Sequence, residues 1–218
     1  AKISQEEYDL IAEYYLKNAP EKPLPQKKRS PITSDPLHFE MGSFISKTDG
    51  MGGVTSIRIH PTKKETWVGT RSNKLWILDD KMNLKSTQIT KSPISLTQFK
   101  GDKTYLLAIG KMHPNDEKLG NLLLASKQGK LTSIVDSLKR PVDVQLSDFN
   151  GDGVDDFVIC EFGYEQGQLV LVDGKTGKRN ILKMQAGSRN VVIKDYTKDG
   201  KPDLLVLYGQ SREGVSLF

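Results

Sequence analysis

Several kinds of residue that carry chemistry in other proteins are scarce in this chain of 218 residues. It has one cysteine, Cys160, which excludes an internal disulfide, and it has no Cys-x-x-Cys-His run, which excludes covalent haem attachment within the sequence. Its three histidines, His38, His60 and His113, lie far apart and lack metal-ligand spacing. We find no residue to nominate for catalysis and predict that the chain is not an enzyme.

Long apolar runs and one-sided charge are also missing. No stretch approaches the about 20 apolar residues that a membrane-spanning helix needs. The formal net charge of +5 is mild, and the one basic cluster, Lys27–Arg29, has no accompanying stripe of aromatic and arginine residues. The sequence therefore predicts neither a membrane span nor nucleic-acid binding.

The chain does contain an acidic loop at residues 148–156. Oxygen-bearing side chains occupy loop positions 1, 3, 5 and 9, and glycine occupies position 6. Four aspartates in nine residues, with no lysine or arginine, would repel each other, so a hard divalent cation is the natural occupant. Ca²⁺ suits the loop because it takes about six to eight oxygen ligands in flexible geometry. The predicted ligands are the side chains of Asp148, Asn150, Asp152 and Asp156 and the carbonyl of Val154.

A weaker version of this loop returns 47 residues later, at residues 195–203. The predicted ligands are the side chains of Asp195, Asp199 and Asp203, the carbonyl of Lys201, and Thr197, which acts by its hydroxyl or through a water. Lys198 and Lys201 reduce the net charge of this loop from −3 to −1, so we expect it to bind Ca²⁺ more weakly.

Both loops differ from the helix-flanked calcium loop, which ends with a glutamate at position 12. That position holds Ile159 in the first loop and Val206 in the second, neither of which binds metal. Apolar, alternating segments precede and follow each loop, which predicts strand–loop–strand hairpins. The alternative is two turns rich in Asp and Gly that hold no metal, since these residues favour turns for local reasons.

The interval of 47 residues organises more of the chain, because Gly120, Gly167 and Gly214 each open a similar apolar segment. Each repeat reads as four short strands. The first strands are predicted at Thr55–Ile59, Ile94–Gln98, Val142–Leu146 and Asn190–Ile193, and the second strands at Thr66–Gly69, Tyr105–Ile109, Phe157–Cys160 and Leu204–Leu207. Four strands in about 40–50 residues are typical of β-propeller blades. The predicted fold is all-β: a propeller with about four four-stranded blades in this chain.

The first two repeats lack the acidic loop. At that point the first repeat has residues 60–65 and the second has residues 99–103, and we predict no metal there. The second repeat also has a longer excursion, Lys111–Leu119, between its second and third strands.

The acidic loop, the apolar strand after it and the Phe162-Gly163 pair resemble the FG-GAP/VCBS repeat family. The resemblance is strong at residues 140–172, fair at residues 188–218 and faint before residue 110. The second loop departs from the pattern, since Tyr208-Gly209 replaces the Phe-Gly pair. The resemblance implies a β-propeller with Ca²⁺ in inter-strand loops, of a kind that mostly serves in binding or as a scaffold.

The N-terminal residues are different in kind. Residues 1–20 are predicted to form a helix that begins with a capping box, Ser4 to Glu7, and stops near Asn18 because Pro20 follows. This helix is similar to the last helix of a c-type cytochrome domain; the alternative is an ordinary amphipathic helix that docks on the propeller. Residues 21–36 read as a linker rich in proline and lysine, and residues 37–218 as the repeats.

The sequence leaves open whether the propeller is a closed ring of four blades. A strand at Phe39–Ile45 would close a four-bladed ring from the N-terminus; otherwise, as we expect, the repeats are part of a larger ring.

We predict a calcium-binding module or scaffold for a protein or glycan partner, extracellular or periplasmic because millimolar Ca²⁺ exists outside the cytosol. The alternative is a propeller domain of a larger exported redox enzyme or c-type cytochrome fusion, with the chemistry outside this chain.

Overall fold

A computed structural model describes residues 4–21, 53–126, 128–210 and 212–218. The chain divides into two units, Ala1–Met41 and Gly42–Phe218. The predicted strand Phe39–Ile45 and all but the first residue of the predicted linker lie outside the described residues.

Helix α1 spans Gln5–Asn18. It is the helix that the structure describes in the first unit. The capping box is confirmed, since the N–H of Glu7 donates to Ser4 Oγ at 3.2 Å and the N–H of Ser4 donates to Glu7 Oε2 at 2.7 Å. The helix ends where Ala19 turns to extended backbone before Pro20. In the described part of the chain, the search for a membrane-spanning helix finds no candidate.

The second unit consists of short antiparallel strands in four consecutive sheets. Sheet 1 contains β1 (Val54–Ile59), β2 (Thr66–Thr70), β3 (Lys74–Leu78) and β4 (Leu84–Ile89), and sheet 2 contains β5 (Ile94–Lys100), β6 (Lys103–Ala108), β7 (Gly120–Ala125) and β8 (Leu131–Leu138). Sheet 3 contains β9 (Pro141–Ser147), β10 (Asp156–Glu161), β11 (Gln168–Val172) and β12 (Arg179–Lys183), and sheet 4 contains β13 (Ser188–Lys194), β14 (Asp203–Tyr208) and β15 (Gly214–Leu217).

The sheets confirm the all-β prediction and the single helix before it. Every first and second strand predicted from the repeat is present, with ends within two residues of those predicted. The strands of each sheet pair in sequence order, as a meander. The fourth sheet has three strands among the described residues, where the repeat pattern predicts four.

Successive sheets pack face to face, and the apolar core lies between them. One cluster joins sheets 1 and 2, a second joins sheets 2 and 3, and a third joins sheets 3 and 4. Strand β10 shows the consequence, because Ile159 faces sheet 2 while Val158 and Cys160 face sheet 4. A strand covered on both faces needs a continuous apolar run, which is why Phe157–Cys160 does not alternate.

The first strands of neighbouring sheets lie side by side and run in the same direction. Thr55 contacts Ile94 and Arg58 contacts Gln98, while Ser95 contacts Pro141 and Lys100 contacts Leu146. The connections from first to second strand, which include both acidic loops, therefore lie at the same end of their sheets.

A buried carboxylate also joins sheets 3 and 4. Asp143 on β9 is 5% exposed, and its Oδ2 accepts the N–H of Val191 at 2.8 Å and the side-chain amide of Asn190 at 2.9 Å. Burial raises the pKa of Asp143, against the opposing effect of these hydrogen bonds. The two first strands are thereby fixed in register.

Candidate metal loops

The first acidic loop connects β9 to β10, so the predicted strand–loop–strand hairpin is confirmed. Gly151 and Gly153 have φ of 75° and 80°, in the left-handed region that glycine enters without steric cost. These two turns bring the backbone N–H groups of the loop inward, towards the side chains at positions 1, 3 and 5.

Asp148, at position 1, is the centre of this arrangement. Its Oδ1 accepts the N–H of Gly151 at 2.7 Å and of Asp152 at 3.2 Å, and its Oδ2 accepts the N–H of Gly153 at 2.9 Å. These donors, Gly153 first, hold the pKa of Asp148 below its ordinary value. The carboxylate is therefore ionised and fixed at the middle of the loop.

The side chains at positions 3 and 5 are fixed in the same way. Asn150 Oδ1 accepts the N–H of Asp152 at 2.9 Å, and Asp152 Oδ1 accepts the N–H of Val154 at 2.9 Å. The structure therefore joins Asp148, Asn150, Asp152 and Val154 in one hydrogen-bonded turn.

Asp156, at loop position 9, lies outside the hydrogen-bonded turn that joins the other predicted ligands of this loop. It is 3% exposed, and its Oδ2 accepts the N–H of Phe149 at 3.0 Å while its Oδ1 accepts the N–H of Gly174 at 2.9 Å. Asp156 thus fastens the start of the loop to β10 and to the turn that follows β11.

The second loop connects β13 to β14 and repeats four of these hydrogen bonds at the same positions. Asp195 Oδ1 accepts the N–H of Asp199 at 3.2 Å, and Asp195 Oδ2 accepts the N–H of Gly200 at 3.0 Å. Asp199 Oδ1 accepts the N–H of Lys201 at 2.9 Å, and Asp203 Oδ2 accepts the N–H of Tyr196 at 2.7 Å. We call this shared set of bonds the loop frame.

The two loops differ at position 3. Thr197 Oγ1 lies 3.4 Å from Asp203 Oδ1, and its N–H donates to Asp203 Oδ2 at 2.8 Å. Thr197 is therefore bonded to the aspartate at position 9, whereas Asn150 is bonded within the turn. Lys198 has φ of 62°, the strained left-handed conformation that Gly151 adopts freely in the first loop.

Two residues that contact the first loop could not be predicted from the sequence. Asp173, in the turn after β11, accepts the side-chain amide of Asn150 at 3.3 Å, and Lys100 of sheet 2 forms an ion pair with Asp155. The 47-residue pattern contains no signal for either contact, because each joins a residue of the loop to a segment outside it.

The donor set of the first loop fits Ca²⁺. Within the described residues, no three His, Cys, Asp or Glu side chains converge to hold a metal by themselves. The loop instead offers a mixed set of carboxylate, amide and carbonyl oxygens, which are hard ligands suited to Ca²⁺. Each carboxylate has about four lone-pair sites, so the backbone bonds leave acceptor capacity on Asp148 and Asp152.

The corresponding connections in sheets 1 and 2 have other structures. The connection from β5 to β6 is two residues, Gly101 and Asp102, which is too short to surround a cation. In the connection from β1 to β2, His60 Nδ1 accepts the N–H of Thr62 at 3.3 Å and of Lys63 at 3.2 Å.

A search of curated proteins finds no match. Among solved structures, the chain is similar to the computationally designed Ika4 protein, with 12% sequence identity and a TM-score of 0.49, over 82% of this chain and 98% of that one.

Residues 142–206 match the family model of the FG-GAP-like repeat. The matched segment begins in β9 and ends in β14, so it contains both loops and all of sheet 3 except Pro141. The resemblance to the FG-GAP repeat family is confirmed for this segment.

Proposed function

We propose that the four sheets are blades of a β-propeller and that the chain is a calcium-binding module that binds, or serves as a scaffold for, a protein or glycan. The order of the sheets supports this, since each meander packs on the next and their first strands run side by side. A single sheet of this kind cannot bury both faces, so the sheets must stack.

The observation that carries the calcium proposal is the loop frame. Asp148 and Asp195 each accept two or more backbone N–H groups, and Asp152 and Asp199 each accept one. Two stretches of different sequence thus place carboxylates at positions 1 and 5 in the same conformation. Such pre-positioned carboxylates need little reorganisation to bind a cation.

Bound Ca²⁺ would supply charge that offsets the repulsion among the carboxylates. The side chains of Asp148, Asn150, Asp152 and Asp156 and the Val154 carbonyl would hold it in the first loop. In the second loop the ligands would be Asp195, Asp199 and Asp203, with Thr197 and the Lys201 carbonyl. Extracellular calcium modules bind with Kd of about 10⁻⁴–10⁻³ M. At free Ca²⁺ about five times Kd, linkage adds about 1 kcal/mol to the free energy of unfolding per site, which suits a structural clip rather than a sensor.

Thermal unfolding with Ca²⁺ and with EGTA tests the proposal. We expect Ca²⁺ to raise the Tm of the wild type by roughly 2–4 °C per filled site, from about 1 kcal/mol. The variants Asp148→Ala and Asp152→Ala should each lose the increment due to the first loop. The matched control is Asp79→Ala, because Asp79 makes a similar turn, accepting the N–H of Lys81 and of Asn83, in a connection without predicted ligands.

The control separates a metal site from a turn. Asp79→Ala should lower Tm equally with Ca²⁺ and with EGTA. The calcium proposal is wrong if the wild type melts at the same temperature in both solutions, or if Asp148→Ala keeps the full calcium increment.

We propose a location outside the cytosol, in the periplasm or the extracellular medium, because calcium sites with such Kd values fill where Ca²⁺ is millimolar. We propose that the module itself performs no catalysis and presents its loops to the partner.

A second candidate is a propeller domain of a larger exported redox enzyme or c-type cytochrome fusion. It is motivated by the similarity of α1, Gln5–Asn18, to the last helix of a c-type cytochrome domain. A haem domain adjacent to this chain in its gene would support the candidate, and a gene that encodes no haem-binding motif would remove it.

A further inference from the structure

A cavity of about 650 Å³ lies between sheets 1 and 2, at the same end as the acidic loops. It is lined by the β1–β2 connection, by Thr104 and Ala125 of sheet 2, and by residues of β2, β3 and β4. Small-molecule sites in proteins have volumes of about 300–1,000 Å³. The cavity is thus the size of a ligand site, in the two sheets that lack acidic loops.

One wall of the cavity is apolar and rigid. Trp67 is 8% exposed, and its ring packs edge-on against Phe99 with centroids 5.5 Å apart. Phe99 in turn contacts the ring of His60, with centroids 4.4 Å apart. Ile77 and Ala125 extend this wall into the cavity.

Polar groups with fixed roles stand beside the apolar wall. Glu65 Oε1 accepts Lys85 Nζ at 2.6 Å and Glu65 Oε2 lies 3.4 Å from Trp67 Nε1, so this carboxylate is an oriented acceptor. The hydrogen bond from Lys85 lowers the pKa of Glu65, and burial lowers that of His60. His60 is therefore neutral, and because Nδ1 accepts two N–H groups, its proton is on Nε2, which is a donor.

The charges of the described residues around the cavity are balanced. Lys63, Glu65 and Asp102 line it, and Lys85 neutralises Glu65 by the ion pair. Gln88 donates its side-chain amide to the carbonyl of Gly129, which fixes sheet 1 to sheet 2 across the cavity. A balanced site of this kind selects against strongly charged ligands.

We infer that this cavity binds a neutral saccharide ring. The C–H face of a pyranose fits the apolar wall, and its hydroxyls can donate to Glu65 and accept from His60, as amphipathic sites require. The inference rests on the proposed function, since it specifies a glycan as the partner and locates its site in sheets 1 and 2, away from the calcium loops.

Saturation-transfer NMR with neutral methyl glycosides of glucose, galactose, mannose and N-acetylglucosamine tests the inference on the full chain. We expect at least one glycoside to bind, and Ala125→Phe, which fills the cavity, to abolish its signal. Glu65→Gln, which weakens one acceptor without adding volume, should raise Kd about tenfold. The matched control is Thr132→Val on exposed β8, outside the cavity, which should bind as the wild type does.

The outcomes separate this inference from the calcium proposal. Binding that persists in EGTA, without any calcium effect on Tm, upholds the saccharide site and removes the calcium proposal. A calcium effect on Tm with no glycoside bound overturns the saccharide site alone. The inference is also overturned if both Ala125→Phe and Glu65→Gln bind as the wild type does, or if charged methyl glucuronide binds better than every neutral glycoside.

Discussion

The two acidic loops have the same loop frame but different amounts of support around it. In the first loop, Asp156 is buried and bonded to the turn after β11, Asp173 contacts Asn150, and Lys100 of sheet 2 pairs with Asp155. In the second loop, Asp203 is half-buried, and its hydrogen bonds among the described residues are to Tyr196 and Thr197 of the same loop. The comparison indicates that aspartates at positions 1, 5 and 9 with glycine at position 6 set the conformation, and we expect the neighbouring segments to set its stability.

The largest effect should appear at Gly174, in the turn after β11 that contacts the first loop. A Cβ at this position would lie 1.9 Å from the carbonyl oxygen of Asp155. We expect Gly174→Ala to cost about 3 kcal/mol and to lower Tm by roughly 6–12 °C, as forced backbone shifts do. Calorimetry measures this against Gly177→Ala, whose Cβ meets no atom within 4 Å and whose φ of 72° should cost about 1 kcal/mol.

Equal losses in the two glycine variants would show that the contact between the turn and the first loop does not stabilise the protein.

The aspartates at position 9 give the next largest effect. Asp156→Ala leaves the N–H groups of Phe149 and Gly174 without their acceptor in a buried place, which should cost about 2–3 kcal/mol. Asp203→Ala leaves the N–H groups of Tyr196 and Thr197 to water, which should cost about 1 kcal/mol. Urea unfolding of both variants in EGTA measures the difference without any contribution from Ca²⁺.

A larger loss of unfolding free energy for Asp203→Ala than for Asp156→Ala would contradict the inference that the first loop is the better supported of the two.

The sequence was sufficient for the parts of the fold and site that depend on local pattern. The position of each loop, its hairpin and the strand order follow from the 47-residue repeat and from apolar runs such as Phe157–Cys160. The contacts of Asp173, Lys100 and Asp143 could not be predicted in the same way. They depend on how far neighbouring strands slide and twist past each other, which no spacing along one strand records.

The role of Asp156 illustrates the same limit. Its place at position 9 predicted a side-chain ligand, but whether its oxygens face a cation or the backbone depends on where the β11–β12 turn lies. That turn is fixed by the close approach of Gly174 to Asp155, a tertiary contact.

The net charge of the second loop should have a smaller effect, which we expect to appear in its calcium affinity. Neutralising the two lysines of the second loop, with Lys198→Asn and Lys201→Gln together, restores its net charge from −1 to −3. We expect Kd for this loop to fall severalfold, because affinity of such sites rises with ligand charge. Asparagine also tolerates the left-handed backbone at position 198 better than lysine.

Isothermal titration of this double variant in the Asp148→Ala background isolates the second loop. Unchanged affinity would show that the lysines do not weaken it; the control is Lys130→Gln, outside both loops.

The smallest effect is a pH dependence that both loops share. The pKa of Asp148 and of Asp203 lies below the ordinary 3.8 because backbone N–H groups bond them. A lowered pKa gives stability that is present above pH 3.8 and is lost as pH falls through the folded-state value. In EGTA, we expect Tm to decline below about pH 4, and to decline less in an Asp148→Ala, Asp203→Ala double variant.

The effect of Asp143 on the pH dependence of stability has the opposite sign, because burial raises the pKa of Asp143. Its contribution is present below pH 3.8 and is lost as pH rises through its folded-state value, so Asp143→Asn should gain stability relative to the wild type as pH rises.

A crystal structure grown in saturating Ca²⁺, with anomalous difference density, tests the central claim most directly. We predict a strong peak about 2.3–2.6 Å from oxygens of Asp148, Asn150 and Asp152, and a weaker peak beside Asp195 and Asp199. Loops that keep the same hydrogen bonds and show no anomalous peak in saturating Ca²⁺ would contradict the account.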